Sequence, residues 1–101
     1  MSERDLSRCV RELAEVLGYE VVSFEAPLAA IRKRTLLDLY LLRPARGDRP
    51  GRAVWVELKS ERGRLSPPQQ AFIDLLRHAG QEVYVFRPAD WFAGRIEEVL
   101  R

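Results

Sequence analysis

The segment that most constrains the fold is Ala53 to Lys59 (AVWVELK), together with the helix and strand that follow it. Val54, Val56 and Leu58 alternate with Trp55, Glu57 and Lys59. Successive side chains of a strand point to opposite faces. One face is therefore wholly apolar and belongs to a core. The other carries a carboxylate and an ammonium two residues apart, where the strand runs into the loop SERGRL. Ser66 then suits a helix N-cap, Pro67 the first helical position, and Gln69 completes a capping-box pattern with Ser66. Phe72, Ile73, Leu75, Leu76 and Ala79 give this helix a broad apolar face, and Gly80 ends it. Glu82 to Phe86 (EVYVF) reads as the next strand. A helix between two strands forms a right-handed crossover, which makes those strands parallel.

Upstream, Leu6, Val10, Leu13 and Leu17 recur at helical spacing with Cys9 and Val16 beside them, predicting a helix over about 3–17. Ser2 suits its N-cap and Gly18 its C-cap. Tyr19 to Phe24 (YEVVSF) and Leu36 to Leu42 (LLDLYLL) read as strands bounded by charge, Pro or Gly. Trp91 to Leu100 reads as a closing amphipathic helix, with Trp91, Phe92, Ile96, Val99 and Leu100 available to the core. The expected fold is α/β, in the order α-β-β-β-α-β-α. Its four-stranded mixed sheet is flanked by helices, with the first three strands antiparallel neighbours. At 101 residues the chain is read as a single domain, residues 1–101.

No apolar run approaches the length of a membrane span, and the N-terminal stretch MSERDLSR has no signal-peptide core. A lone cysteine, Cys9, forms no intramolecular disulfide, so a cytoplasmic location is expected; Cys9 itself is expected in the core. The net charge is only +2, but residues 31–64 carry ten basic and four acidic side chains, so they are +6 inside an otherwise acidic chain. That asymmetry is compatible with an anionic partner and equally with arginine-rich solvated loops.

Asp38 sits within an apolar strand pattern beside Tyr40, with Leu37, Leu39 and Leu41 expected on the opposite face. A buried acid without a partner costs several kcal/mol. Two acids, Asp38 and Glu57, on adjacent strands suggest a shared ligand. A hard divalent cation is suited to them: Mg²⁺ takes oxygen ligands, commonly one or two carboxylates plus phosphate oxygens. Asp38, Glu57 and the backbone carbonyl of Leu58 supply such a set, and Lys59 can orient water or offset charge on a phosphate. The alternative is a partly buried ion pair of Lys59 with Asp38 or Glu57, which stabilises little.

WVELKSERGRLSPPQQAF, followed by a helix and GQEVYVFRPADW, resembles the virus-type replication-repair nuclease (VRR-NUC) domain of the PD-(D/E)XK superfamily. That pattern has an acid on the second strand, E-x-K at the end of the third, and G-R-L-S-x-x-Q opening a helix. The resemblance implies a restriction-endonuclease-like core and a Mg²⁺- or Mn²⁺-dependent endonuclease acting on DNA, with branched DNA such as a Holliday junction as substrate. A domain this small covers few base pairs and a junction has two scissile strands, so a homodimer fits. The resemblance places the metal ligands on Asp38 and Glu57, the catalytic lysine on Lys59 and the helix-start glutamine on Gln69. An early glutamate, fifteen residues before a helix-ending glycine, falls on Glu3, with Gly18 as that glycine. Where the family has G-x-P before the aspartate, this chain has Thr35, Leu36 and Leu37. Proline there positions rather than ligates, so the chemistry survives its loss. A catalytically weak or inactive nuclease-fold DNA-binding module, such as a phage or repair accessory, is the second function class.

Glu3 lies about 60° from the centre of its helix's apolar stripe at 100° per residue. It either faces the site or simply favours the helix dipole. Gln69 either contacts the site, closes the capping box, or does both. Arg32, Lys33, Arg34, Arg62 and Arg64 are the candidate phosphate contacts. One histidine and one cysteine exclude zinc-finger chemistry, and no glycine loop suited to cradling phosphate is present.

Overall fold

The computed structural model describes residues 1–25 and 37–101. Helix α1 (Glu3–Val16) leads to strand β1 (Glu20–Ser23), then β2 (Leu39–Arg43) and β3 (Arg52–Leu58). Helix α2 (Pro67–His78), strand β4 (Glu82–Phe86) and the short helices α3 (Pro88–Phe92) and α4 (Arg95–Leu100) follow. The strands lie in the order β1-β2-β3-β4. β1 and β3 flank β2 antiparallel, and β3 pairs parallel with β4. This is the expected α/β architecture.

Local chemistry accounts for the helix starts. Ser2 and Asp5 form a reciprocal capping box at α1, and Ser66 and Gln69 form one at α2 with Pro67 behind the cap. Each box satisfies two amide groups that a helix N-terminus otherwise leaves without partners. The strands are assembled by burial on both faces. On one, Leu39, Leu41, Val54, Val56, Leu58 and Phe86 pack with Leu6, Val10 and Ala14 of α1 and with Ile96 and Leu100 of α4. On the other, Leu37, Ile73 and Val83 are buried with Trp55, Leu65, Phe72, Leu76 and Val85 against them. A fully buried aliphatic side chain contributes roughly 1.5–3 kcal/mol, so these two layers dominate the fold.

Four sequence expectations are corrected. β2 begins at Leu39, so Asp38 precedes the strand rather than sitting within it. The cause is a substitution in the ladder: the Leu58 N–H is taken by Asp38 Oδ2 at 2.9 Å instead of by a main-chain carbonyl. Because the strand has not yet begun, Leu37 packs in the α2-side cluster, away from Leu39 and Leu41. The closing segment is two helices, split at Gly94, whose φ of 72° lies in the left-handed region. A left-handed residue cannot continue a right-handed helix. Finally, Phe92, Leu75 and Val16 face solvent at 72%, 64% and 82% exposure, and Cys9 is only partly buried.

Candidate active site

The site lies where β3 ends. Glu57 is the second-last residue of β3 and has a side chain on the face of Trp55. Trp55 stacks on Tyr40 with ring centroids 4.1 Å apart and meets the edge of Phe72 at 6.1 Å. Glu57 lies on the same face of β3, capped by Gln69 of α2, and is 2% exposed; Asp38 is 5% exposed. Glu57 Oε2 accepts from Gln69 Nε2 at 2.9 Å and lies 3.1 Å from Lys59 Nζ. Its other oxygen, Oε1, is buried with no hydrogen-bond partner. Leaving a buried polar oxygen without a donor costs about 1–3 kcal/mol, more when it is charged. Burial first, and the adjacent Asp38 carboxyl second, push the Glu57 carboxyl up to about 8, with Lys59 opposing in part.

The two positions anticipated for Gln69 are both occupied by one side chain. Its Oε1 accepts from the Ser66 N–H at 3.0 Å while its Nε2 holds Glu57. The capping box therefore fixes the amide that orients the carboxylate. Lys59 is one residue past β3, its N–H bonded to the Phe86 carbonyl at 3.0 Å. The Leu58 side chain is core, while its N–H anchors Asp38.

A cleft of about 500 Å³ opens beside Asp38, lined by Glu3, Arg4, Ser7, Arg11, Ser23 and Glu25. Glu3 is thus on the cleft wall with Asp38. It does not join a compact metal-binding group: among the described residues no three His, Cys, Asp or Glu side chains cluster closely enough to hold an ion together. Arg62 and Arg64 are exposed on the loop between Lys59 and α2. Arg32, Lys33 and Arg34 lie outside the described residues.

Sequence reasoning passed over Glu25 and the arginines of α1. Glu25 Oε1 accepts from Ser7 Oγ at 2.7 Å, joining α1 to the end of β1. The available signal was hairpin register. Ser23 pairs with Leu39 and the Phe24 N–H reaches the Asp38 carbonyl at 2.8 Å, which brings the chain just past β1 alongside Asp38. Arg4 and Arg11 reach the cleft from exposed and half-buried positions, and only their location in the fold distinguishes them from other surface arginines.

A mixed α/β sheet with an acid entering its second strand and E-x-K closing its third is a nuclease-type fold. Residues 30–90 match the model of the VRR-NUC domain, and the chain belongs to that family. The match spans β2, β3, α2 and β4, and ends in α3; Glu3 and Glu25 precede it. Comparisons with curated proteins and with solved structures gave no match. No helix among the described residues is long and apolar enough to cross a membrane.

Proposed function

We propose that this chain is a Mg²⁺- or Mn²⁺-dependent endonuclease that hydrolyses DNA phosphodiesters. Its preferred substrate is branched DNA such as a four-way junction, and a homodimer presents one site to each of two strands. The carrying observation is the buried Glu57 carboxyl crowded against Asp38, with Lys59 on one of its oxygens at 3.1 Å. Two crowded carboxyls disfavour joint ionisation, and a nearby cation favours it. The donor set is all oxygen, as a hard cation requires. Asp38, Glu57 and the Leu58 carbonyl are the residues that would hold the ion, which when bound supplies Lewis-acid polarisation of the phosphate and a more acidic water.

The protein's own groups do the rest. Gln69 and Lys59 hold Oε2, which restrains the carboxylate and leaves Oε1 as the oxygen free to meet an ion. Lys59, its side chain 16% exposed, keeps an ammonium where it orients the attacking water and offsets charge developing on the phosphate. Water adds to phosphorus, one ester P–O bond breaks, and the products are a phosphomonoester and a hydroxyl. Arg62 and Arg64, with Arg32, Lys33 and Arg34, neutralise flanking phosphates and set position rather than sequence.

A second reading, a nuclease-fold DNA-binding module, is favoured by one observation: Glu57 is already ion-paired with Lys59 at 3.1 Å, the alternative to a metal site. One assay separates the two. Duplex, flap and four-way junction DNA are incubated with Mg²⁺, Mn²⁺, Ca²⁺ or chelator. Junction cleavage in Mg²⁺ or Mn²⁺ and none in Ca²⁺ or chelator is the expected result. Binding in Ca²⁺ with no cleavage of any substrate would install the binding module instead.

A further inference from the structure

Parallel pairing of β3 with β4 ends at the bond from the Lys59 N–H to the Phe86 carbonyl. Beyond it β4 turns into α3 at Pro88, which has no N–H to give. The carbonyls of the turn after Lys59 therefore have no main-chain donor in β4. A side chain fills that role. Arg87 Nη1 donates to the Ser60 carbonyl at 2.7 Å and the Gly63 carbonyl at 2.6 Å, and approaches the Glu61 carbonyl at 3.4 Å.

The base of this clamp is itself fixed. The Arg87 N–H donates to Asp90 Oδ2 at 2.8 Å, and its carbonyl accepts from the Asp90 N–H at 2.9 Å. A second tie runs the other way, from the Ala89 N–H to Glu61 Oε1 at 3.3 Å. Within the turn, the Gly63 N–H closes on the Ser60 carbonyl at 3.2 Å. A Cβ at Gly63 would stand 2.8 Å from Ser60 Oγ, so the turn is held in a close-packed form. This turn joins Lys59 on one side to Arg64, Leu65 and the Ser66 cap on the other.

We propose that Arg87 is a positioning residue: through the carbonyls of residues 60–63 it sets the backbone that carries Lys59 and Arg62. Its guanidinium bonds main-chain carbonyls and neither the Asp38 nor the Glu57 carboxylate. The inference rests on the nuclease reading for its consequence but not for its geometry. Charge-assisted bonds to carbonyls are about twice as strong as neutral ones, and a shift of about 1 Å in a positioned group can cost on the order of 100-fold in rate.

The test compares wild type with Arg87→Met, Arg87→Lys and Glu61→Ala. It reads melting temperature, amide exchange at Gly63, junction cleavage at saturating DNA, and DNA affinity in Ca²⁺. Arg87→Met is expected to keep its melting temperature within a few degrees, to speed Gly63 exchange, and to lower the saturated rate roughly tenfold to 100-fold with a smaller change in affinity. Arg87→Lys, which retains a cationic donor, recovers part of both. Glu61→Ala, at an exposed position, gives the same direction with smaller size. Wild-type exchange and turnover in Arg87→Met overturn the proposal, as they do in Arg87→Lys, whose single ammonium cannot reproduce the guanidinium clamp, if Arg87→Met does not fold. Faster Gly63 exchange in a protein that cleaves nothing supports the clamp and defeats the nuclease reading instead.

Discussion

The two ends of β3 carry similar ionic pairs in opposite electrostatic states. At the start of the strand, Arg52 grips Glu82 with two bonds, 2.9 and 2.8 Å long, and Tyr84 Oη donates to the same carboxylate at 3.0 Å. Arg52 also reaches Tyr19 Oη at 3.0 Å, and Tyr19 Oη in turn donates to the Leu100 carbonyl at 2.8 Å. Arg43 lies over the Tyr19 ring at 4.7 Å. Hydrogen bonds from Arg52 hold the Glu82 carboxyl below its usual range. About 17 Å along the strand, Glu57 also has a cation beside it, yet its carboxyl is pushed upward. The difference is neighbours and water. Glu82 is partly exposed and both its oxygens have donors, whereas Glu57 is buried against a second acid with one oxygen unpartnered. A structural ion pair satisfies its charges. At Glu57 two carboxyls share one ammonium, and the charges are left unbalanced.

The comparison breaks most visibly in activity. Glu57→Gln, Asp38→Asn and Lys59→Ala are each expected to lower junction cleavage by several orders of magnitude. Their double mutants should be little worse, because such groups act as one unit. Glu82→Gln should cleave at near wild-type rate. Single-turnover assays in Mg²⁺ decide this, and wild-type turnover in Glu57→Gln would dissolve the distinction between the two ends.

Stability should move the other way. Without divalent cation, Glu57→Gln is expected to be neutral or stabilising, since it removes the proton uptake that burial beside Asp38 imposes on the carboxyl at neutral pH. Glu82→Gln should cost about 1 kcal/mol or less, the pair being partly screened by solvent. Mg²⁺ at one hundred times its dissociation constant adds about 2.7 kcal/mol to the wild type by mass action, and this gain is absent from Glu57→Gln. Urea melts with and without Mg²⁺ measure all three quantities, and an equal Mg²⁺ response in both proteins would place the ion elsewhere.

In pH dependence the two glutamates have opposite signs. Folding raises the Glu57 carboxyl from its ordinary 4.5 to about 8, so the folded, cation-free protein binds a proton that the unfolded chain has lost. The stability linked to it is full below about pH 4.5 and is lost as pH rises through about 8. The Glu82 carboxyl is lowered by Arg52, so its contribution is present above 4.5 and disappears as pH falls through the depressed value. Glu57→Gln should flatten the alkaline side of the stability profile in chelator, and Glu82→Gln the acid side. A Glu57→Gln profile that still falls between pH 5 and 8 would mean that another group carries that proton.

Much of the frame was legible in residue order. Alternation in AVWVELK put Val54, Val56 and Leu58 on one face and Trp55 and Glu57 on the other, where the structure has them. The Ser66, Pro67 and Gln69 pattern located the start of α2 because capping is a contact between residues three apart. The failures were equally physical. Apolar flanks make Asp38 look like part of β2, and nothing local announces that its side chain will replace a ladder carbonyl. Helix periodicity ran through Gly94 because the left-handed turn there is a backbone choice that glycine permits but does not compel.

Residue order by itself determined most of the elements, the faces of β3, and the sequence of an acid, E-x-K and a capped glutamine along the chain, since periodicity and capping act within a few residues. Tertiary structure alone decided which carboxylate oxygen lacks a donor, that Gln69 bridges cap and site, that Glu25 and Arg11 line the cleft, and that Arg87 reaches back to the turn after Lys59. The bridges from Gln69 to Glu57 and from Arg87 to the turn join atoms 12 and 24 residues apart in the chain. Donor geometry and desolvation are set only once packing has brought such segments together.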